Sequence, residues 1–391
     1  MGFRLLGALE ALEDLDEVDA VETNQPTEPD DLDTTLLSVM DDEVEFDESS
    51  SDVTDGVDTI LDGIDSSIEK LEAIVEVINK HGISKSMMMA ADPNGELVSN
   101  GICPSYEELN DAPVHDSNAV AAIEGITDTL SNVWKRISDF FVVIGTKLSA
   151  FAVKTKQLFI SYEKALASAE RSVGDIDPEK FGAKQISCYG KADFGTAHKV
   201  IDLIMKVVNS GGLEKAAAEF EGYLKGTGLT EAHISDTMKK VGSILKPLAN
   251  NKDVAEAAGI SVKFSESGEF ESVGSAGITI KPTRKSVNDH GWKAADVSKA
   301  IKDAKGVVSN YTVSVKHVEI IARLCKDASA ILKSQAKSAG SFDAEKKAAY
   351  KAAVNGTRKV IMANRAILMA AIVCPRSLAS SALQLAKAAS N

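Results

Sequence analysis

Hydrophobic positions recur at helical spacing along most of the chain, in segments separated by polar or glycine-containing turns. The first long segment covers residues 57–78 and is expected to end near His81 and Gly82, where glycine supplies a left-handed cap. The second begins with Ser117 or Asn118 as its cap and either continues unbroken to Leu166 or divides after Gly145. Further helices are expected at residues 196–209, 213–225, 230–245, 253–258, 294–339, 343–373 and 376–389.

The period of the pattern changes between residues 260 and 282. Ile260, Val262 and Phe264 alternate with polar residues, and Ile278 and Ile280 repeat the alternation. This spacing is typical of short strands. The sequence therefore predicts a mainly α fold with a small β-hairpin or short-strand insertion.

The N-terminal part of the chain follows neither pattern for long. Residues 3–15 place apolar side chains near helical spacing, which indicates either a helix that docks on a partner or a marginal helix in a disordered tail. Residues 16–58 are dominated by Asp, Glu, Ser and Thr. So dense a run of like charge cannot collapse on itself, and we expect it to be disordered.

The N-terminal third of the chain and the remainder carry opposite net charges. Residues 1–124 contain 32 acidic and 4 basic residues, a formal charge of −28, whereas residues 125–391 contain 26 acidic and 39 basic residues, or +13. The sign reverses at Ala122-Ile123-Glu124-Gly125. We therefore predict an acidic, largely disordered leader over 1–124 and a basic, mainly helical domain over 125–391.

Recognisable catalytic chemistry is missing from the sequence. The six histidines and four cysteines form no metal-binding spacing, and neither a nucleophile elbow nor a phosphate-binding loop is present. Asp92, Asn94 and Glu96 lack the spacing of a calcium loop and are more typical of a turn. We predict no catalytic residues, no metal and no cofactor, and an enzyme is the minority interpretation.

Basic residues after the junction form two clusters that could meet phosphate. A field of this kind suffices for non-specific nucleic-acid binding, whereas sequence-specific recognition is disfavoured because no aromatic interleaving or recognition motif accompanies it. The candidate phosphate-contacting residues are Lys281, Arg284, Lys285, Lys346, Lys347, Arg358 and Lys359.

The most apolar stretch, Phe140 to Val153, is only 14 residues long and contains Lys147. A bilayer requires about 20 residues, so buried core is preferred and no stable membrane insertion is expected. The N-terminus shows no signal peptide pattern, which favours synthesis in a cytoplasm.

A short amphipathic start, an acidic leader, a small-x-Glu junction and a basic helical remainder together resemble the internal head proteins of large tailed bacteriophages. In that family an acidic propeptide directs the protein into the prohead core, and a prohead protease cuts after Glu in short motifs. Ala122-Ile123-Glu124 matches such a motif. Other matches are Ala8-Leu9-Glu10, Ala11-Leu12-Glu13, Ala20-Val21-Glu22, Ser161-Tyr162-Glu163 and Ala217-Ala218-Glu219.

The resemblance implies a structural virion protein, made in the host cytoplasm and located in the capsid interior. Its partners would be the prohead scaffold or capsid interior, the prohead protease and, non-specifically, the packaged DNA. Three other interpretations stay open. The first is a cytoplasmic scaffold or nucleic-acid-binding protein autoinhibited by its acidic tail, the second a membrane-active helical toxin, and the third an enzyme carried in the particle.

Overall fold

The computed structural model describes residues 57–174, 176–226, 229–275, 280–338 and 344–390. The amphipathic helix predicted at residues 3–15 and nearly all of the predicted disordered run lie outside these residues. The last two residues of that run, Val57 and Asp58, open the first helix.

Helices dominate the described residues, as predicted, and a few short strands accompany them. The helices are α1 (Val57–His81), α2 (Lys85–Ala91), α3 (Glu96–Ser99), α4 (Ser117–Ser172), α5 (Pro178–Ala183), α6 (Lys191–Asn209), α7 (Gly212–Lys225), α8 (Glu231–Ala249), α9 (Lys252–Ala258), α10 (Ala294–Val308), α11 (Tyr311–Ser338) and α12 (Ala344–Ser390). A 3-10 turn covers Tyr106–Glu108, and the strands are β1 (Gln185–Cys188), β2 (Ile260–Phe264), β3 (Phe270–Ser275) and β4 (Thr283–Ser286). The fold class is therefore mainly α.

The described residues form two compact units. The first contains residues 57–143 and 329–338, and the second contains residues 144–328 and 344–390. In the first unit, α1 buries one face through Ile68, Leu71 and Ile78. The predicted end at His81 is confirmed, because Gly82 adopts a φ of +82° and its backbone approaches Val114 too closely for a Cβ atom.

Helix α4 begins one residue after its cap, which is Asp116 rather than the predicted Ser117 or Asn118. The carboxylate of Asp116 accepts hydrogen bonds from the backbone N–H groups of Asn118 at 3.0 Å and Ala119 at 3.1 Å. A carboxylate at this position also interacts favourably with the helix dipole. The helix then runs unbroken through Gly145 to Ser172.

The second unit is organised around α12, which packs against α6, α7, α8, α10, β1 and β3. The predicted separation of two helices at Cys374-Pro375 is wrong, because α12 passes through Pro375. A proline inside a helix removes one backbone hydrogen bond at a cost of about 3 kcal/mol. Burial of Leu378, Leu383 and Leu385 beyond it offsets that cost.

The single helix predicted over residues 294–339 is also wrong, since it divides into α10 and α11. The backbone N–H groups of Ser309 and Asn310 turn back to the carbonyls of Lys305 and Val307, which closes α10. The side chains of Ser309 and Asn310 also donate to the carbonyl of Gly306, both at 3.0 Å, so local side-chain hydrogen bonds compete with continuation of the helix.

The predicted short-strand insertion is confirmed by an antiparallel hairpin. β2 pairs with β3 so that Ile260 lies opposite Ser275 and Val262 opposite Val273. Ile278 falls in the gap at residues 276–279, and Ile280 lies in a bend. A second two-stranded sheet was not predicted, and it pairs β1 with β4.

One stretch among the described residues, Ala352–Ser390, is long and apolar enough to cross a membrane, with a mean hydropathy of 1.6. Three quarters of its most apolar window is buried inside the fold, as in the core helix of a soluble domain. Phe140 and Phe151, in the apolar stretch of α4, are buried as well.

Candidate processing junction and nucleic-acid interface

The charge-reversal junction lies in the first third of α4. Within it Ala122 is buried, Ile123 is half-buried and Glu124 is exposed. A Cβ atom on Gly125 would lie 2.0 Å from the carbonyl oxygen of Ile102, so the helix and the preceding loop are in close contact here. A protease binds its substrate as an extended chain, and cleavage at Glu124 therefore requires local opening of α4.

The loop that covers Gly125 is held by the buried side chain of Asp92. Its two carboxylate oxygens accept hydrogen bonds from the backbone N–H groups of Glu96 at 2.9 Å and Leu97 at 2.7 Å. The hydroxyl of Tyr106 donates to the Asp92 carbonyl at 2.6 Å. Burial, together with the Asp92 charge, raises the pKa of Tyr106 to about 12. Asp92 therefore caps a turn, and the described residues contain no cluster of His, Cys, Asp or Glu able to hold a metal ion.

The first predicted basic cluster lies on the two-stranded ribbon formed by β1 and β4. Lys281 comes just before β4, Arg284 and Lys285 lie on it, and all three are exposed. Arg284 is opposite Ser187 and Lys285 is opposite Ile186. Sequence reasoning could not place Ser187 beside Arg284, because the two residues are almost one hundred positions apart.

The ribbon rests on a buried base. Its ladder extends through a hydrogen bond from the Val287 N–H to the Lys184 carbonyl at 2.9 Å. The indole N–H of Trp292 donates to the Tyr189 carbonyl at 2.8 Å, and the Tyr189 N–H donates to the Ser381 hydroxyl on α12 at 3.3 Å. These bonds fix the position of the ribbon on the C-terminal part of α12.

The second predicted cluster lies on α12 itself. Lys346 and Lys347 are in its first turn, and Arg358 and Lys359 are half-buried. Lys359 lies near Glu269, whose pKa is lowered mainly by the hydrogen bond that it accepts from Ser235, with smaller contributions that include the charge of Lys359.

The two clusters do not meet on one surface. Lys184, beside the ribbon, donates from its ammonium to the carbonyl of Ala388 at 2.8 Å. Lys359 is 29 residues before Ala388 on the same helix, about 43 Å at the rise of an α-helix. The two clusters that are separate in the sequence are therefore also separate in the structure.

Comparison with known proteins supplies the family. No curated protein and no solved structure matches the chain. The family model of phiKZ-like phage internal head proteins matches residues 16–385, nearly the whole chain. This match confirms the resemblance found in the layout of the sequence. The chain belongs to the phiKZ-like phage internal head proteins and is a structural virion protein of the capsid interior.

Proposed function

We propose that the chain enters the prohead as an acidic precursor, and that a prohead protease then removes residues 1–124. The basic remainder stays in the head and contacts the packaged DNA without base specificity. The observation that carries this proposal is the charge reversal, from −28 before the junction to +13 after it.

The order of these events has a simple electrostatic reason. Before DNA enters, the leader offsets the attraction of the basic domain for nucleic acid and can pair with basic scaffold surfaces. Its removal leaves a protein whose net charge suits a compartment filled with phosphate. Processing would thus convert a chain that avoids DNA into one that binds it.

The packing around the junction adds a condition. Since Ala122 is buried and Gly125 touches the Ile102 backbone, Glu124 becomes a substrate only when the start of α4 opens. The loop residues Asn110 to Pro113 are exposed, so a cut there would remove most of the acidic charge without opening the helix. The cleavage point is therefore open to measurement.

The experiment is the intact mass and N-terminal sequence of the protein recovered from purified particles. A product that begins at Gly125 supports the proposal in full, and one that begins between Asp111 and Val120 keeps the propeptide and moves the cut. Recovery of the complete chain would overturn removal of the leader.

The close contact at Gly125 favours a second candidate, in which the leader stays attached and autoinhibits a nucleic-acid-binding or scaffold domain. Such a chain would be recovered at full length. Its affinity for DNA would rise when acidic residues of the leader are neutralised by substitution. Under the propeptide proposal, the protein in the particle has already lost the leader, so the same substitutions would not change its affinity.

A further inference from the structure

We infer that the ribbon of β1 and β4, together with the exposed lysines of α10, is the surface through which this protein contacts nucleic-acid phosphates. The inference rests on the proposed contact with packaged DNA and deepens it, because it assigns that contact to one of the two basic clusters. Binding through phosphates does not depend on base sequence.

The strand register determines the composition of one ribbon face. Residues directly opposite each other in an antiparallel pair share a face, so Gln185 and Ser286 lie on the same side as Ser187 and Arg284. Gln185, Ser187 and Arg284 are exposed and Ser286 is half-buried. Arg, Ser and Gln are side chains that commonly bond to phosphate oxygens, and neither strand contains an acidic residue.

Helix α10 begins close to the ribbon, because Lys191, three residues after β1, forms an ion pair with Asp296 in the first turn of α10. Lys299 and Lys302 are exposed and lie three positions apart on α10, so they share one face of that helix. Two carboxylates close by are paired with other cations: Asp296 accepts from Lys191 at 2.8 Å and Glu170 from Lys305 at 2.8 Å. Asp289, in the turn after β4, is exposed, but over residues 281–302 the exposed charged side chains are six basic and one acidic. A phosphate at this surface therefore meets an excess of positive charge.

The ribbon is also held rigid before any ligand arrives. Ile186, Cys188 and Val287 are buried beneath it, and Trp292 ties it to Tyr189. The aromatic rings of Phe194 and Trp292 meet edge to face with centroids 5.3 Å apart. Pre-organised donors lose less conformational entropy on binding.

In the second cluster, the two residues whose side chains the structure describes are less suited to the same task. Arg358 and Lys359 are half-buried, and Lys359 lies near the carboxylate of Glu269. An incoming phosphate would have to compete with that carboxylate, whose pKa is already held below its usual value. The observations thus favour the ribbon as the phosphate-binding surface.

The first test is chemical cross-linking of lysine to DNA in intact particles of the phage that carries this protein, followed by mass spectrometry of the recovered peptides. We expect nucleotide adducts to be concentrated on Lys281, Lys299 and Lys302, and fewer on Lys285, which is paired with Ile186 on the other face of the ribbon. The internal reference is the set of exposed lysines on α6, α8 and α9: Lys206, Lys246 and Lys252.

Adducts spread evenly over both sets, or concentrated on the reference set or on Lys359, would overturn the assignment and leave the proposed DNA contact standing. Absence of adducts anywhere on the protein, with other virion proteins cross-linked, would refute the DNA contact itself and this inference with it. The two failures are thus distinguishable.

The second test compares two charge-matched triple variants recovered from particles: Arg284→Ala/Lys299→Ala/Lys302→Ala and Lys206→Ala/Lys246→Ala/Lys252→Ala. Each phosphate contact contributes about 0.9 to the slope of log affinity against log salt. Loss of three contacts should therefore flatten the slope by about 2.7 and weaken binding to duplex DNA at least about tenfold at 0.1 M salt. The reference triple should change the affinity less than about threefold. Equal losses of affinity in both variants would show that DNA is bound by the overall positive charge of the domain and not by the proposed surface.

Discussion

The imidazole of His317 on α11 and the side-chain amide of Asn364 on α12 form a buried hydrogen bond, with 2.8 Å between Nε2 and Oδ1. The amide nitrogen of Asn364 donates to the Val360 carbonyl at 2.7 Å, so its oxygen faces the ring and Nε2 carries the proton. Nδ1 is buried without a hydrogen-bond partner, and the Glu214 carboxylate lies 3.7 Å from it. The tertiary structure thereby selects one neutral tautomer.

Burial lowers the pKa of His317 below 6.5, although the Asn364 hydrogen bond and the Glu214 charge oppose the shift. As the pH falls below about 6.5, the unfolded chain takes up this proton before the folded chain does, so the free energy of unfolding decreases. Above that pH the contribution is fully present. We expect a lower Tm at pH 5.0 than at pH 7.5, and a smaller difference in the His317→Gln variant.

Glutamine retains an N–H donor for Asn364 but cannot titrate. The exposed His115, replaced in the same way, is the matched control for the loss of an imidazole. If the His317→Gln chain shows the wild-type pH dependence, His317 does not contribute to it.

Gly145 permits a close contact within the second unit. A Cβ atom there would lie 2.8 Å from the Ala322 carbonyl oxygen and 3.1 Å from the Cβ of Cys325. Gly145→Ala should therefore lower the free energy of unfolding by about 1–3 kcal/mol, because backbone has to move. Gly195 in α6 has no atom near such a Cβ, so Gly195→Ala should stabilise by up to about 1 kcal/mol. Urea denaturation of both variants checks the pair, and equal effects would contradict the contact.

The four cysteine thiols, Cys103, Cys188, Cys325 and Cys374, are buried and free. Desolvation raises the pKa of each to about 12. At pH 8 the reactive thiolate is therefore almost absent, and the native chain should react with a maleimide far more slowly than a free thiol does. Four equivalents should react after unfolding in urea. A fast-reacting thiol in the native protein would show that at least one of these sites opens readily.

The Asp116 carboxylate starts α4 by accepting two backbone hydrogen bonds. Replacing it with Ala should cost about 1 kcal/mol in the free energy of unfolding. Ser117→Ala is the matched control at the adjacent exposed position and should be nearly neutral. If Ser117→Ala lowers the free energy of unfolding more than Asp116→Ala does, Ser117 is the cap, as the sequence suggested.

Glu124→Gln tests the proposed cleavage directly. Glu124 is exposed, so the substitution leaves the packing of α4 intact, while a protease that requires Glu can no longer cut there. Particles carrying this variant should lack the product that begins at Gly125. The control is Glu163→Gln, since Ser161-Tyr162-Glu163 has the same motif on the same helix without a charge reversal. Normal processing of the Glu124→Gln chain would show that the protease cuts after another residue.

Local sequence determined the helical character of the chain and most of its helix positions. α1 ends at His81 as expected because the glycine that follows supplies a positive φ, a preference fixed by one residue. The charge reversal at Glu124 likewise follows from the order of acidic and basic residues in the sequence. Both are short-range properties, so no knowledge of the folded chain was needed to find them.

The tertiary structure decided which of the basic candidates face solvent together. β1 and β4 pair across about ninety-five residues, and this pairing places Gln185 and Ser187 beside Arg284. The same long-range packing carries α12 through Pro375 and joins His317 to Asn364. Each of these outcomes depends on burial and hydrogen bonds between distant segments. Such contacts can outweigh local propensities of about 1 kcal/mol per residue, and sequence periodicity does not record them.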